Sequence, residues 1–241
     1  MNTPNKHSAL KVAGSLWSSY RMTLIWFWAI FVVVFLGINF LLLHLGEVDS
    51  DMWSEGIWAG SVYSPKIFLF VIGILVTPIS LASYVSFGIT RKHFVWGSTL
   101  MLAGLSLVCA ILTAAGFPIE RLIYDMTGGS GSLNQPPLLE SSLEFFVLCF
   151  GYCLAGCMIG NGFYRHDWRI GTIICLLALL PIILMEAIVE SGSLIRFMSY
   201  SFHSPSLAPW LELILTLAIA AMMLALNFSM LRKVTIRRKL V

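Results

Sequence analysis

Any chemistry in this chain must come from few side chains: 5 histidines, 5 cysteines, 12 carboxylates and 15 basic residues among 241. Cys149, Cys153 and Cys157 stand at i, i+4 and i+8, one face of a helix, a spacing that soft metals can use. Neither histidine nor carboxylate joins them on that face, so the same stripe also reads as small packing residues beside Gly156 and Gly160. Glu186, five residues beyond Pro181, is the best-placed carboxylate within an apolar run. It lies near the run's outer end, where water could reach it as a helix-end or cavity-lining group; Glu144 and Glu212 likewise sit near run ends. Ionisable groups in such runs are functional candidates by default. The histidines (His7, His44, His93, His166, His203) are scattered. There is no HExxH, no glycine-rich phosphate loop and no Walker lysine. The expectation is a protein without catalytic residues, resident metal or cofactor of its own. Three consecutive basic or titratable side chains remain, Arg91-Lys92-His93, in the step Phe87-Gly88-Ile89-Thr90-Arg91-Lys92-His93-Phe94.

The elements that must position these groups are apolar. The chain is 58% hydrophobic and 11% charged, with a mean hydropathy of +0.87. Soluble domains carry roughly a quarter charged residues, so a bilayer is the solvent. About 20 apolar residues cross the hydrocarbon as a helix. Six runs qualify, at about 22–45, 67–87, 94–115, 143–163, 170–189 and 207–230. They are continuously apolar rather than alternating, which excludes a barrel. The expected fold is therefore all-α and integral to the membrane, one transmembrane domain over 1–241.

Positive charge sets the orientation. Lys6, Lys11, Arg21, Arg91, Lys92, Arg165, Arg169 and the cluster Arg232, Lys233, Arg237, Arg238 and Lys239 fall on one side. The other side holds Lys66, Arg121 and Arg196 among eight carboxylates. Both termini are expected in the cytoplasm. Leu10, Ala13, Trp17 and Tyr20 recur at helical spacing, predicting an amphipathic interfacial helix over about 8–21. In the outer connections, Trp53, Trp58 and Tyr63 suit the membrane interface, 117–142 mixes glycine-rich and Pro-Pro pieces, and 190–206 is apolar enough for a re-entrant segment. Gly156 and Gly160 form a GxxxG, which reads equally as packing within the chain or as a subunit interface. Asn39 and Asn227 either bond between helices or line a pathway.

With its amphipathic leader, six spans, apolar outer piece and FGITRKHF step, the chain resembles the membrane (permease) subunit of a bacterial ABC-2 type transporter. The resemblance covers nearly the whole chain and implies a cytoplasmic ABC ATPase partner, which would hold ATP and Mg. It also implies a second six-span copy and an export pathway for an amphipathic peptide, antibiotic or lipid-like cargo. In that family this connection is a coupling helix docking in a groove of the ATPase. Carried over by position, Gly88, Thr90, Arg91, Lys92, His93 and Phe94 would form the ATPase-coupling contact, with Phe94 seating apolar surface. A bacterial cell membrane location follows, and nucleic acid is not an expected partner. The departure from the family is the long outer loop over 117–142. The competing readings are an ion-coupled secondary carrier and a membrane immunity or sequestration protein.

Overall fold

Continuous apolar runs in a medium without water must satisfy their own backbone groups, and the helix does so within one segment. The computed structural model describes residues 8–45, 58, 62–126, 138–189 and 209–232. These hold α1 (Ser8–Leu45), α2 (Tyr63–Ser86), α3 (Arg91–Met126), α4 (Leu138–Arg165), α5 (Trp168–Val189) and α6 (Pro209–Arg232). All six are long and apolar enough to cross a membrane. Among the described residues there is no strand. The expected re-entrant segment, most of the glycine- and proline-containing loop and the basic C-terminal cluster beyond Arg232 lie outside them.

α4 is the axis of the bundle. It packs on α2, α3, α5 and α6, whereas α1 leans on α3. Phe145, Cys149, Cys153 and Cys157, one residue per turn, face a core shared with α1, α2 and α3. Leu148, Ala155 and Ile159 face a second core built with Ala178, Ile182 and Met185 of α5 and Ala220 and Met223 of α6. The cysteine stripe is therefore a packing seam. Cys153 Sγ lies 3.5 Å from Ser106 Oγ and 3.6 Å from the Leu69 carbonyl oxygen. Among the described residues no three metal-ligating side chains converge.

Gly156 and Gly160 are spent inside the chain. A Cβ on Gly156 would meet the Phe70 carbonyl, the Ile74 amide and the Gly73 Cα, and one on Gly160 would meet the Ile74 carbonyl. Gly73 in turn abuts the Cys153 carbonyl, so α2 and α4 touch backbone to backbone.

Two boundaries and one side chain differ from the sequence expectation. The leader and first span are one helix of 38 residues, about 57 Å long against a hydrocarbon core of about 30 Å. The leader docks on α3 instead of forming a separate interfacial helix. Val12 and Leu16 are buried, Ala13 joins them, and Leu10, assigned to the apolar face, is 56% exposed. Glycines on α3 cause this rotation: Gly97 receives Val12 and Gly104 receives Trp17. Second, α3 continues through Pro118 to Met126, and α4 begins at Leu138. Both take residues that had been assigned to the outer loop. Third, Trp58 is buried rather than interfacial. Its indole fills the slot left by Gly116, Nε1 donates to the Thr113 carbonyl (2.9 Å), and its amide donates to Glu120 Oε1 (2.8 Å).

Large apolar side chains remain exposed along α1 (Ile25, Trp26, Val33), α5 (Leu176, Leu180) and α6 (Ile214, Leu217). On a soluble monomer such area would be anomalous; facing lipid, it is what a membrane helix presents.

Candidate functional site

The basic step is built by two end-caps fused within four residues. At the end of α2, Gly88 takes a φ of 81°, the left-handed conformation that favours glycine. It allows the Gly88 amide to donate to the Val85 carbonyl (3.0 Å) and the Ile89 amide to donate to the Tyr84 carbonyl (3.1 Å). That bond pair is a Schellman motif, and Ile89 and Tyr84 supply its apolar contact against the core. Thr90 then opens α3. The Phe94 amide donates to its carbonyl (3.0 Å), while its hydroxyl oxygen accepts from the His93 amide (3.4 Å) and lies 2.6 Å from His93 Nδ1. Helix, reversal and helix are thus fixed by local bonds. No transverse helix separates α2 from α3.

The caps decide which side chains face out. Gly88, Thr90 and Lys92 are exposed, and Arg91 and His93 half-buried. Phe94, assigned to a partner contact, is 0% exposed and packs against the Tyr84 ring at 5.7 Å between centroids. The free aromatic is Phe87, 83% exposed. Sequence reasoning missed this exchange, because only the position of Gly88 turns one ring outward and the other inward. Phe94 anchors the step; Phe87 is its exposed face.

Arg91 and Lys92 occupy the first turn of α3, which has no acidic residue. A helix N-terminus carries a partial positive charge, so each cation there is disfavoured by about 0.3–1 kcal/mol. Local stability does not explain them. The leader lies alongside: the Tyr84 hydroxyl donates to Ser15 Oγ at 2.9 Å, joining α1 to the last turn of α2. At the same end, Arg165 donates to the Met230 carbonyl (3.2 Å) in the last turn of α6, satisfying a terminal acceptor.

A second polar cluster lies at the opposite end of the bundle. Lys66, in the first turn of α2, is 1% exposed, and Glu186, in the last turn of α5, is 0% exposed. Lys66 Nζ donates to Glu186 Oε1 at 3.0 Å and to Oε2 at 3.3 Å. Tyr152 of α4 donates its hydroxyl to Glu186 Oε1 at 2.8 Å. The ammonium also sits over the rings of Tyr63 (4.8 Å) and Phe145 (5.6 Å). Glu186 does sit at a helix end, as its place in the apolar run implies, but it is a buried ion-pair partner there and not open to water. Lys66 was missed because it falls just outside the apolar run. A lone lysine at the mouth of a span, opposite a lone glutamate in another, is the signal that could have found it.

Asn227 of α6 donates to the carbonyls of Leu154 (2.9 Å) and Met223 (3.0 Å) and accepts from Asn161 Nδ2 of α4 (2.8 Å). Both residues are buried, so Asn227 ties helices together. The Asn39 side chain lies outside the described residues. Asn227→Leu strands the Asn161 amide in the core and removes the second hydrogen bond of the Leu154 carbonyl. A destabilisation of about 2 kcal/mol is expected, with part recovered in Asn161→Leu/Asn227→Leu; thermal unfolding in detergent measures both.

Six apolar helices with α4 as the axis, a capped basic step at one end and a buried ion pair at the other define a multi-pass α-helical membrane protein. No family model, no curated protein and no solved structure matches the chain.

Proposed function

We propose that the chain is the transmembrane subunit of an ATP-driven exporter in a bacterial cell membrane, working as a homodimer with both termini cytoplasmic. A separate ABC ATPase would hold ATP and Mg. The observation that carries this reading is the step itself: an exposed Phe87 and an exposed Lys92 flank a turn whose hydrogen bonds join it rigidly to α2 and α3. A push delivered there passes directly into two spanning helices and, through Phe94, into the core. Aromatic residues and arginine are enriched at docking hot spots, and cations steer an acidic partner into register. Arg91 and Lys92, disfavoured at a helix N-terminus, fit carboxylates on a partner. The docking set then becomes Phe87, Gly88, Thr90, Arg91, Lys92 and His93, with the α1 leader beside it. The pathway for an amphipathic peptide, antibiotic or lipid-like cargo would form between two copies.

The experiment places a photo-crosslinking amino acid at Phe87 in cells and tests purified complexes for nucleotide-driven flux in vesicles. A crosslink to an ABC ATPase and flux that stops without ATP support the reading. The second reading, an ion-coupled carrier, is favoured by the buried Lys66–Glu186 pair. It predicts flux without nucleotide that collapses with the ion gradient.

A further inference from the structure

The Lys66–Glu186 pair joins two helices that have no packing seam between them. α2 and α5 each pack on α4 but make no extensive contact with one another. The tie lies at their ends, in the first turn of α2 and the last turn of α5, where Lys66 reaches across the Phe145 ring of α4. We propose that Lys66, Glu186 and Tyr152 form a reversible latch that holds this end of the bundle shut, and that α2 and α5 part there when it releases. The inference concerns the chain alone and goes beyond the exporter reading; it stands or falls without an ATPase.

The chemistry suits a device that must open. Two buried charges lose hydration, and their mutual attraction offsets that loss only when geometry is good. Here two ammonium–carboxylate contacts, a phenol donor and two aromatic faces supply it. When the helix ends separate, water enters and both ions recover their hydration, so opening is nearly balanced. An apolar pair in the same place would expose hydrocarbon on opening and resist it. A latch of opposite charges is specific when closed and inexpensive to part.

Breaking one partner and replacing both should therefore act in opposite directions. Cys149 reports the opening: it is buried, one turn along α4 from Phe145 on the same face. Cys157, two turns further toward the Gly88 end, is the control. Full-length chains retaining only one of these thiols, with the other cysteines changed to Ala, are reconstituted and treated with a water-soluble maleimide. With Glu186→Gln or Lys66→Met, Cys149 should label at least about tenfold faster than in the parent while Cys157 does not change. Tyr152→Phe, which removes a single donor, should give a smaller acceleration and covers the case in which a charge variant fails to fold. Lys66→Met/Glu186→Leu should label more slowly than the parent. The latch is overturned if Cys149 and Cys157 accelerate together, which is general loosening. Unchanged Cys149 labelling in the single variants, or acceleration in the apolar double variant, overturns it equally.

Discussion

Arg91→Glu/Lys92→Glu is expected to abolish ATP-driven transport while leaving the protein as stable as before, or slightly more so. The two effects have opposite signs because the two residues answer to different fields. Within the chain, Lys92 is exposed and Arg91 half-buried, at a helix start with no acidic residue in its first turn. Carboxylates there complement the helix dipole, a gain of about 0.3–1 kcal/mol each. Against an acidic groove on a partner, the same reversal converts attraction into repulsion costing several kcal/mol. At 1.4 kcal/mol per decade, association should weaken by about a hundredfold or more. Arg91→Gln/Lys92→Gln should fall between, and its residual binding should lose salt dependence.

Phe87→Ala removes an 83% exposed ring and should reduce docking with no change in unfolding temperature. Phe94→Ala is the contrast. That ring is fully buried, so its loss should destabilise the fold by about 3–5 kcal/mol. Measuring thermal unfolding beside ATPase co-purification separates the two. Retained ATPase binding and flux in Arg91→Glu/Lys92→Glu would remove the docking assignment.

Gly156→Leu is expected to be among the most damaging single changes in the bundle. A side chain at Gly156 meets the Phe70 carbonyl, the Ile74 amide and the Gly73 Cα, all backbone, so no rotamer change relieves it. α2 and α4 must move apart, at a cost of about 3 kcal/mol or more. Gly73 and Gly160 belong to the same contact, and the Lys66 ammonium lies one helix end away. The variant should therefore show a lower unfolding midpoint and loss of ordered α2. An alternative use of GxxxG, joining two copies, predicts a stable folded monomer. Unfolding temperature together with native mass in detergent distinguishes the outcomes, and an unaltered midpoint would refute the packing role.

Much of the candidate site was legible because its determinants are local. Gly88 before an apolar residue and Thr90 three residues before His93 are a helix stop and a helix start. They position the step with no help from the rest of the fold. Glu186 was also visible, as a carboxylate in an otherwise apolar run. Its partner was not, because Lys66 is 120 residues away in the chain. Nor could periodicity place Leu10 outside and Val12 inside, since the leader's rotation is set by Gly97 and Gly104 on another helix.

By itself, then, the sequence determined what depends on neighbours along the chain. Hydropathy over 20-residue windows fixed six all-α spans, since a backbone in lipid must bond to itself. Glycine and threonine fixed the turn at Gly88–Thr90. Only the tertiary structure decided what depends on neighbours in space. It made one helix of leader and first span and seated Val12 and Trp17 of that leader against Gly97 and Gly104 of α3. It set Gly156 and Gly160 against α2 and closed Lys66 onto Glu186. The physical reason is common to all four. Small residues and buried charges carry no instruction about their partners until packing brings a surface of matching shape or opposite charge against them.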